Sequence, residues 1–329
     1  MKGQIFKLIC TFQKKYSMSH RLKIIKNRSD IGAGTRGSDM GIDALEIAAI
    51  NRENDFFNRH PFIDVPTHNE TIYDKVNNTF AKRINFVAEQ CKRVCEVTAM
   101  VLQQKHFPFV ISGDHSSALG TLAGIKTAFP EKTIGAIWID AHADLHTPLS
   151  SPSGNIHGMP LAAALGHDNE KYAINTIHDQ TKESWNQIKA LGGEAPKLKP
   201  EHLIYFGLRS TEEAEDRSIE EHNIRAYPVH EVRHRTIQTC VTEALEKLAD
   251  VDLIYITFDV DSLDCDLISK GTGTPVSKGF DPEEIIALIK GFIASEKVSC
   301  LEVCEINPLL DEKGNKMAET AFDIIDALF

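Results

Sequence analysis

The chain is poor in positive charge, has no paired-cysteine motif and has no long apolar run. Its 36 Lys and Arg face 47 Asp and Glu, a formal balance of −11 over 329 residues. A basic surface is what non-specific nucleic-acid and anionic-membrane binding require, so neither class of partner is expected. The seven cysteines (Cys10, Cys91, Cys95, Cys240, Cys265, Cys300, Cys304) contain no CxxC pair. Cys91/Cys95 and Cys300/Cys304 are spaced four apart, but no second ligand pair lies at finger spacing, which removes zinc-ribbon and thioredoxin-type readings. Reduced thiols in a cytoplasmic protein are expected. No stretch approaches the roughly 18 apolar residues of a membrane span. The N-terminal MKGQIFKLICTFQKKYSMSH is basic and faintly amphipathic. Lys7 interrupts its apolar part and no small-residue cleavage site follows, so residues 1–20 read as a loosely ordered extension, with Met18 a second candidate start, and not as a signal peptide.

What is present is a globular composition, 42% hydrophobic and 25% charged, enough for a sizeable core. No repeat or Pro/Gly/Ser linker divides residues 21–329, which read as a single domain. Strands are expected at 21–26, 107–112, 133–140, 202–208, 224–229, 251–261 and 298–306, several of them apolar on both faces, as in a covered parallel sheet. Helices are expected at 73–104, 116–129, 158–166, 211–222, 236–249 and 281–295. The run Asp281-Pro282-Glu283-Glu284 carries a cap, a first-turn proline and following acids. The long 73–104 segment reads as a core-packing face. Residues 167–200 are polar and poorly periodic and read as an inserted surface excursion. The alternation gives an α/β fold, three-layer αβα, around a central, mostly parallel sheet.

In such sheets functional groups gather at the carboxyl ends of the strands. Polar clusters sit there: Gly113-Asp114-His115, Asp140-Ala141-His142-Ala143-Asp144 and Asp259-Val260-Asp261. In extended chain Asp140, His142 and Asp144 face one way, as do Asp259 and Asp261. Imidazoles and carboxylates together suit Mn²⁺, Zn²⁺ or iron. Four Asp and two His suffice for two ions with bridging carboxylates, and two ions about 3.5–4 Å apart share a hydroxide and lower its pKa. Burying these acids without a cation would cost several kcal/mol.

The same residues carry a resemblance. Gly113-Asp114-His115-Ser116, Asp140-Ala141-His142-Ala143-Asp144 and Thr257-Phe258-Asp259-Val260-Asp261-Ser262-Leu263-Asp264 resemble the three metal-binding signatures of the ureohydrolase (arginase/agmatinase) family. Ser153-Gly154-Asn155-Ile156-His157-Gly158-Met159-Pro160, Gly273-Thr274-Pro275, Glu305-Ile306-Asn307-Pro308 and the early Gly32-Ala33-Gly34 through Asp39-Met40-Gly41 continue it. The SGNIHG segment is similar to arginases and not to agmatinases. The resemblance implies an arginase-like fold and two Mn²⁺ per subunit. His115, Asp140, Asp144 and Asp259 would hold one ion; His142, Asp140, Asp259 and Asp261 the other, with Asp140 and Asp259 bridging. It further implies attack of a metal-bridging hydroxide on the guanidino carbon of L-arginine, giving L-ornithine and urea. Asp144 would orient that hydroxide, Glu305 would accept from the guanidinium, and His157 would act as proton shuttle or general acid. Ser153, Asn155 and Thr274 would line the substrate. A homo-oligomer, trimer or hexamer, is the family's habit.

Two positions depart from the arginase pattern. Where an Asn commonly contacts the substrate α-carboxylate this chain has His146, and where the second Asp of Asp-x-Asp binds the α-amino group it has Glu212. Hydrolysis is therefore better supported than arginine selectivity, and agmatine or a guanidino acid is the alternative substrate. Two other readings compete. Gly32-Ala33-Gly34-Thr35-Arg36-Gly37 matches G-x-G-x-x-G, but Ser38-Asp39-Met40-Gly41 makes a poor helix start for a nucleotide site. A sensor that kept the fold without the chemistry would be expected to lack metal ligands, and all six are present.

Overall fold

The computed structural model describes residues 21–76 and 78–329; the expected N-terminal extension, residues 1–20, lies outside them. The first half runs β1 (Leu22–Asn27), α1 (Gly41–Asn51), α2 (Phe56–Arg59), β2 (Phe62–Asp64), α3 (Ile84–Gln103), β3 (Phe107–Ser112), α4 (Ser117–Ala128) and β4 (Ile134–Ile139). It continues through α5 (Pro160–Leu165), α6 (Asp179–Lys189), β5 (Leu203–Phe206), α7 (Glu213–Glu221) and β6 (Arg225–Tyr227). The last elements are α8 (Val229–Arg235), α9 (Ile237–Lys247), β7 (Leu253–Asp259), α10 (Pro282–Ile293), β8 (Val298–Cys304) and α11 (Lys316–Leu328). One sheet of eight strands has the order β2-β1-β3-β8-β7-β4-β5-β6. Every pairing in it is parallel.

The period of two along each strand divides the core into two layers. On β4, Ala136 and Trp138 join the cluster that packs beneath α3, α4, α5 and α6. Ile137 and Ile139 join the opposite cluster, covered by α1, α9, α10 and α11. Helices α3 and α4 lie against each other because α4 carries glycines at the crossing: a Cβ on Gly120 would sit 2.5 Å from the Cys91 carbonyl oxygen, and one on Gly124 2.6 Å from Thr98 Cβ. The start of α10 is as expected, with Pro282 in the first turn and a reciprocal Asp281/Glu284 capping box.

The structure differs from the sequence expectation at several elements. Strand β2 was not expected, since its three residues are too short for a periodic signal. The 73–104 segment is helical only over Ile84–Gln103; Arg83, with φ 56°, precedes it in the left-handed region, which a helix cannot run through. A helix does begin at Gly41, without a side-chain cap, because burial of Ile42, Ala44, Leu45, Ala48 and Ala49 holds α1 in place. Helices α2, α8 and α11 had no sequence assignment, and the 167–200 excursion contains α6.

Candidate metal centre and active site

The strand order explains how residues far apart in sequence meet. Strands β3, β8, β7 and β4 are consecutive in the sheet and parallel, so their carboxyl ends open side by side. His115 follows β3, Asp140, His142 and Asp144 follow β4, Asp259 and Asp261 close β7, and Glu305 follows β8. Asp114 fastens the first of these loops, accepting from Gly32 N at 2.8 Å and from Ser116 N at 2.9 Å. Arg209, after β5, fastens the last ones: its guanidinium donates to the carbonyls of Asp261 at 2.7 Å, Val276 at 2.8 Å and Ser277 at 3.0 Å.

Three carboxylate oxygens converge on His115 Nδ1: Asp140 Oδ2 at 3.0 Å, Asp144 Oδ2 at 3.0 Å and Asp259 Oδ2 at 3.3 Å. None is aligned as a hydrogen-bond acceptor, and both His115 Nδ1 and Asp144 Oδ2 are buried without a partner. One imidazole nitrogen carries at most one proton and cannot serve three acids, whereas a cation among them serves all four donors. The ring is already oriented for this. His115 Nε2 lies 2.8 Å from Thr257 Oγ1, and the imidazole stacks on Trp138 with centroids 4.2 Å apart. A second set adjoins the first: His142 Nδ1 is 2.9 Å from Asp261 Oδ2 and 3.5 Å from Asp140 Oδ1. Asp140 thus turns one oxygen to each histidine, the pose of a bridging carboxylate. Asp259 turns Oδ2 toward His115, while its Oδ1 accepts from Asp261 N at 2.8 Å. Both triads, His115/Asp140/Asp144 and Asp140/His142/Asp261, have donor atoms close enough to share one ion. The residues therefore fit a divalent metal centre, with no thiolate in either triad.

The charge balance fits as well. Burial, followed by the neighbouring Asp261 and Asp140, pushes the Asp259 carboxyl well above the usual range. Burial and Asp140 raise Asp144 to about 7. For Asp140 burial acts upward too, but the neighbouring imidazoles of His115 and His142 outweigh it and hold the carboxyl low. With all four acids ionised, as cation binding requires, the cluster holds more negative charge than its two imidazoles offset.

Glu305 and His157 meet beside this centre. Glu305 Oε1 accepts from His115 N at 3.0 Å and lies 3.0 Å from His157 Nδ1, while Oε2 is buried and unpartnered. Burial alone would lower the His157 pKa, but the Glu305 carboxylate overrides it and sets it at about 9. Asp144 and Glu305 both stand at positive φ, 52° and 65°.

The residues expected to line the substrate have less uniform surroundings. His146 is buried, with Nε2 3.3 Å from Glu212 Oε2 and 3.6 Å from Glu215 Oε2. Glu215 was not singled out from sequence, although its position three residues after the Glu212 cap is a capping-box pattern. It accepts from Leu145 N and so ties α7 to the Asp144 loop. Asn155 Oδ1 accepts from Lys82 Nζ at 3.1 Å, and Ser153 Oγ accepts from Asn155 N at 3.2 Å. Thr274 Oγ1 donates to Asp261 Oδ2 at 3.0 Å, so it touches a metal-site acid directly. Thr257 and Trp138 were missed as supports for His115, since nothing in linear spacing marks them. The G-x-G-x-x-G loop is unsuited to phosphate even though a helix follows it. The Gly32 and Gly37 N–H groups are already given to Asp114 and Asp30, both at 2.8 Å.

Residues 21–329 match the family model described as Arginase family. The chain belongs to the arginase family. It is 34% identical over 313 residues to the arginase of Bacillus subtilis, covering 94% of this chain and 98% of that one. The solved arginase from Bacillus caldovelox superposes with a TM-score of 0.80 at 33% identity, covering 94% and 97% of the two chains. The Entamoeba histolytica arginase solved in complex with L-ornithine gives 0.77 at 27% identity, covering 94% and 98%. Arginase-family membership makes the chain an amidinohydrolase of a metal-dependent family. No helix among the described residues is long and apolar enough to cross a membrane.

Proposed function

We propose that this enzyme hydrolyses the guanidino group of L-arginine to L-ornithine and urea at a pair of Mn²⁺ ions. His115, Asp140, Asp144 and Asp259 would hold one ion, and His142, Asp140, Asp259 and Asp261 the other. The observation that carries the reading is the shared Asp140 between two histidine-centred acid sets, beside a buried carboxylate with one free oxygen. When bound, such ions supply an activated water nucleophile and offset developing negative charge. The chain's own groups do the rest. Glu305 Oε1 is held by His115 N and His157, which leaves Oε2 to accept from the planar guanidinium and fix its carbon toward the centre. His157, anchored through Nδ1, presents Nε2 as the acid that protonates the departing amine. Asp144 would orient the attacking water and receive its proton.

The relatives named arginases favour arginine. His146 favours a second reading, a different guanidino substrate: its Nε2 already faces two acids, which competes with a substrate carboxylate. Urea release by Mn²⁺-loaded enzyme from arginine, agmatine and guanidino acids decides between them. Arginine preferred, and a lower KM for arginine in His146→Asn, supports the first reading. Preference for another compound selects the second, and no urea from any of them with two ions bound rejects both. Residues 21–329 form a single catalytic domain in this proposal. The enzyme is a cytoplasmic homo-oligomer, trimer or hexamer, which light scattering of the purified protein tests.

A further inference from the structure

One buried thiol lies against the metal centre. Cys304 ends β8, is fully buried, and pairs in register with Asp259 at the end of β7. Its thiol donates to Asp259 Oδ2 at 3.7 Å, the same oxygen that approaches His115 Nδ1 to 3.3 Å. Donor atoms of His115, Asp259 and Cys304 all lie within 4.8 Å of one another, close enough to share one ion. The other described thiols at this depth have different surroundings: Cys91 donates to the Ser116 carbonyl at 3.2 Å, and Cys240 and Cys300 pack in the two apolar layers. Independently of the thiol, His115 Nδ1 is buried, unpartnered and turned into the same space.

We infer that Cys304 supplies a sulfur donor to the cation held by His115, and that this raises the affinity of this half of the centre for thiophilic divalent ions such as Zn²⁺, Co²⁺ and Cd²⁺ relative to Mn²⁺. The inference rests on the two-cation reading of the site. The donor spacing agrees with it. Metal–sulfur and metal–oxygen bonds of about 2.3 and 2.1 Å set adjacent donors of a five-donor site roughly 3.1–3.8 Å apart, a range that includes the observed 3.7 Å. On coordination the S–H proton leaves to solvent and the sulfur–metal bond forms without change of oxidation state. Manganese gains little from sulfur, being a harder ion, so the thiol separates ions that the carboxylates alone would treat more alike. The His142 set holds no sulfur, which makes the two halves chemically unequal.

The test begins with metal-free full-length enzyme loaded with Co²⁺ or Zn²⁺, its stoichiometry read by elemental analysis. X-ray absorption at the metal edge should show sulfur in the first shell. The Co²⁺ form should carry a near-ultraviolet sulfur-to-cobalt charge-transfer band that is lost in Cys304→Ser and kept in Cys265→Ser. The ratio of Cd²⁺ to Mn²⁺ affinity should fall at least about tenfold in Cys304→Ser. Full cation binding by the native enzyme with no sulfur scattering and no band overturns the thiol assignment and leaves the metal centre standing. No cation binding by the native enzyme overturns both. If Cys304→Ser does not fold, the scattering from the native enzyme decides alone.

Discussion

At the level of single residues, the site depends on groups that hold other groups still. Thr257 Oγ1 faces the far nitrogen of His115 across 142 positions of sequence, and Trp138 covers the ring face. Both contacts exist only because β7 and β4 lie beside β3 and β8 in the sheet. The D-x-H-x-D spacing was legible because its ligands lie within five consecutive residues, although they follow β4 as a loop with Asp144 at positive φ and not as extended chain, whereas a support on another strand leaves no local pattern. Thr257→Val keeps the volume and removes the hydrogen bond. Metal affinity should fall roughly 10- to 100-fold, read by competition with a chelating dye, while the metal-free protein melts within a few degrees of the native chain. An unchanged affinity would mean the ring is held by stacking alone. Glu305 differs in kind, since it touches His115 through the backbone and keeps Oε2 free. Glu305→Gln should retain both ions yet lose about 100-fold or more in kcat/KM, because the amide meets a cationic guanidinium without charge. Loss of an ion in that variant would show that Glu305 maintains the metal set. The positive φ of Asp144 and Glu305 fits such positions, where local strain is sustained by surrounding structure.

At the level of elements, the strands were more legible than the helices. Seven strands announced themselves as apolar runs, because a strand buried on both faces needs a continuous one. Helix α6 did not. It buries Thr181, Ser184, Trp185 and Ile188, a stripe with only two strongly apolar members, inside a segment of polar character. Trp185 Nε1 donates to Asp168 at 2.8 Å, which ties α6 back to the chain leaving α5. Next to that tie, His167 packs on His222 with ring centroids 4.3 Å apart. Burial, then the neighbouring imidazole, lowers the His167 pKa from 6.5 to about 4. A folded pKa below the unfolded one means the folded state resists protonation. Its stability is intact above 6.5 and declines as the pH falls toward 4. His167→Phe keeps a ring in place without a proton to bind. The native chain should lose on the order of 1–2 kcal/mol more than this variant between neutral pH and the lower limit, after allowance for partial solvent screening. Metal-free samples are the ones to compare, so that acid release of ions does not enter. Equal losses would remove His167 as a source of acid sensitivity.

For the molecule as a whole, fold and ligand set were legible together, because parallel strands deliver their carboxyl ends to one edge. What sequence could not give was which of the acids at that edge are pushed up and which is held low. Four buried aspartates face two histidines, and burial, then the neighbouring Asp261 and Asp140, pushes the Asp259 carboxyl well above its ordinary range. A centre of this kind is stable with its cations and frustrated without them. Metal-free enzyme should therefore melt below the loaded form, and at cation concentrations about a thousandfold above Kd the gain should approach 4 kcal/mol per site. Asp259→Asn separates the two effects. The amide keeps the shape, and its oxygen still accepts from Asp261 N, while the buried carboxyl that must be either charged or protonated is gone from the cluster. Without metal the variant should be more stable than the native chain at neutral pH, by about 1–3 kcal/mol, because the fold no longer carries a buried carboxyl whose pKa is raised above its unfolded value. With metal the order should reverse, since the variant lacks a bridging donor and gains little from added Mn²⁺. Thermal melts of both proteins, with and without Mn²⁺, give the four values needed. A metal-free variant less stable than the metal-free native chain would mean that the acids are held apart by hydrogen bonds and protons alone, and that the centre stores no strain for a cation to release.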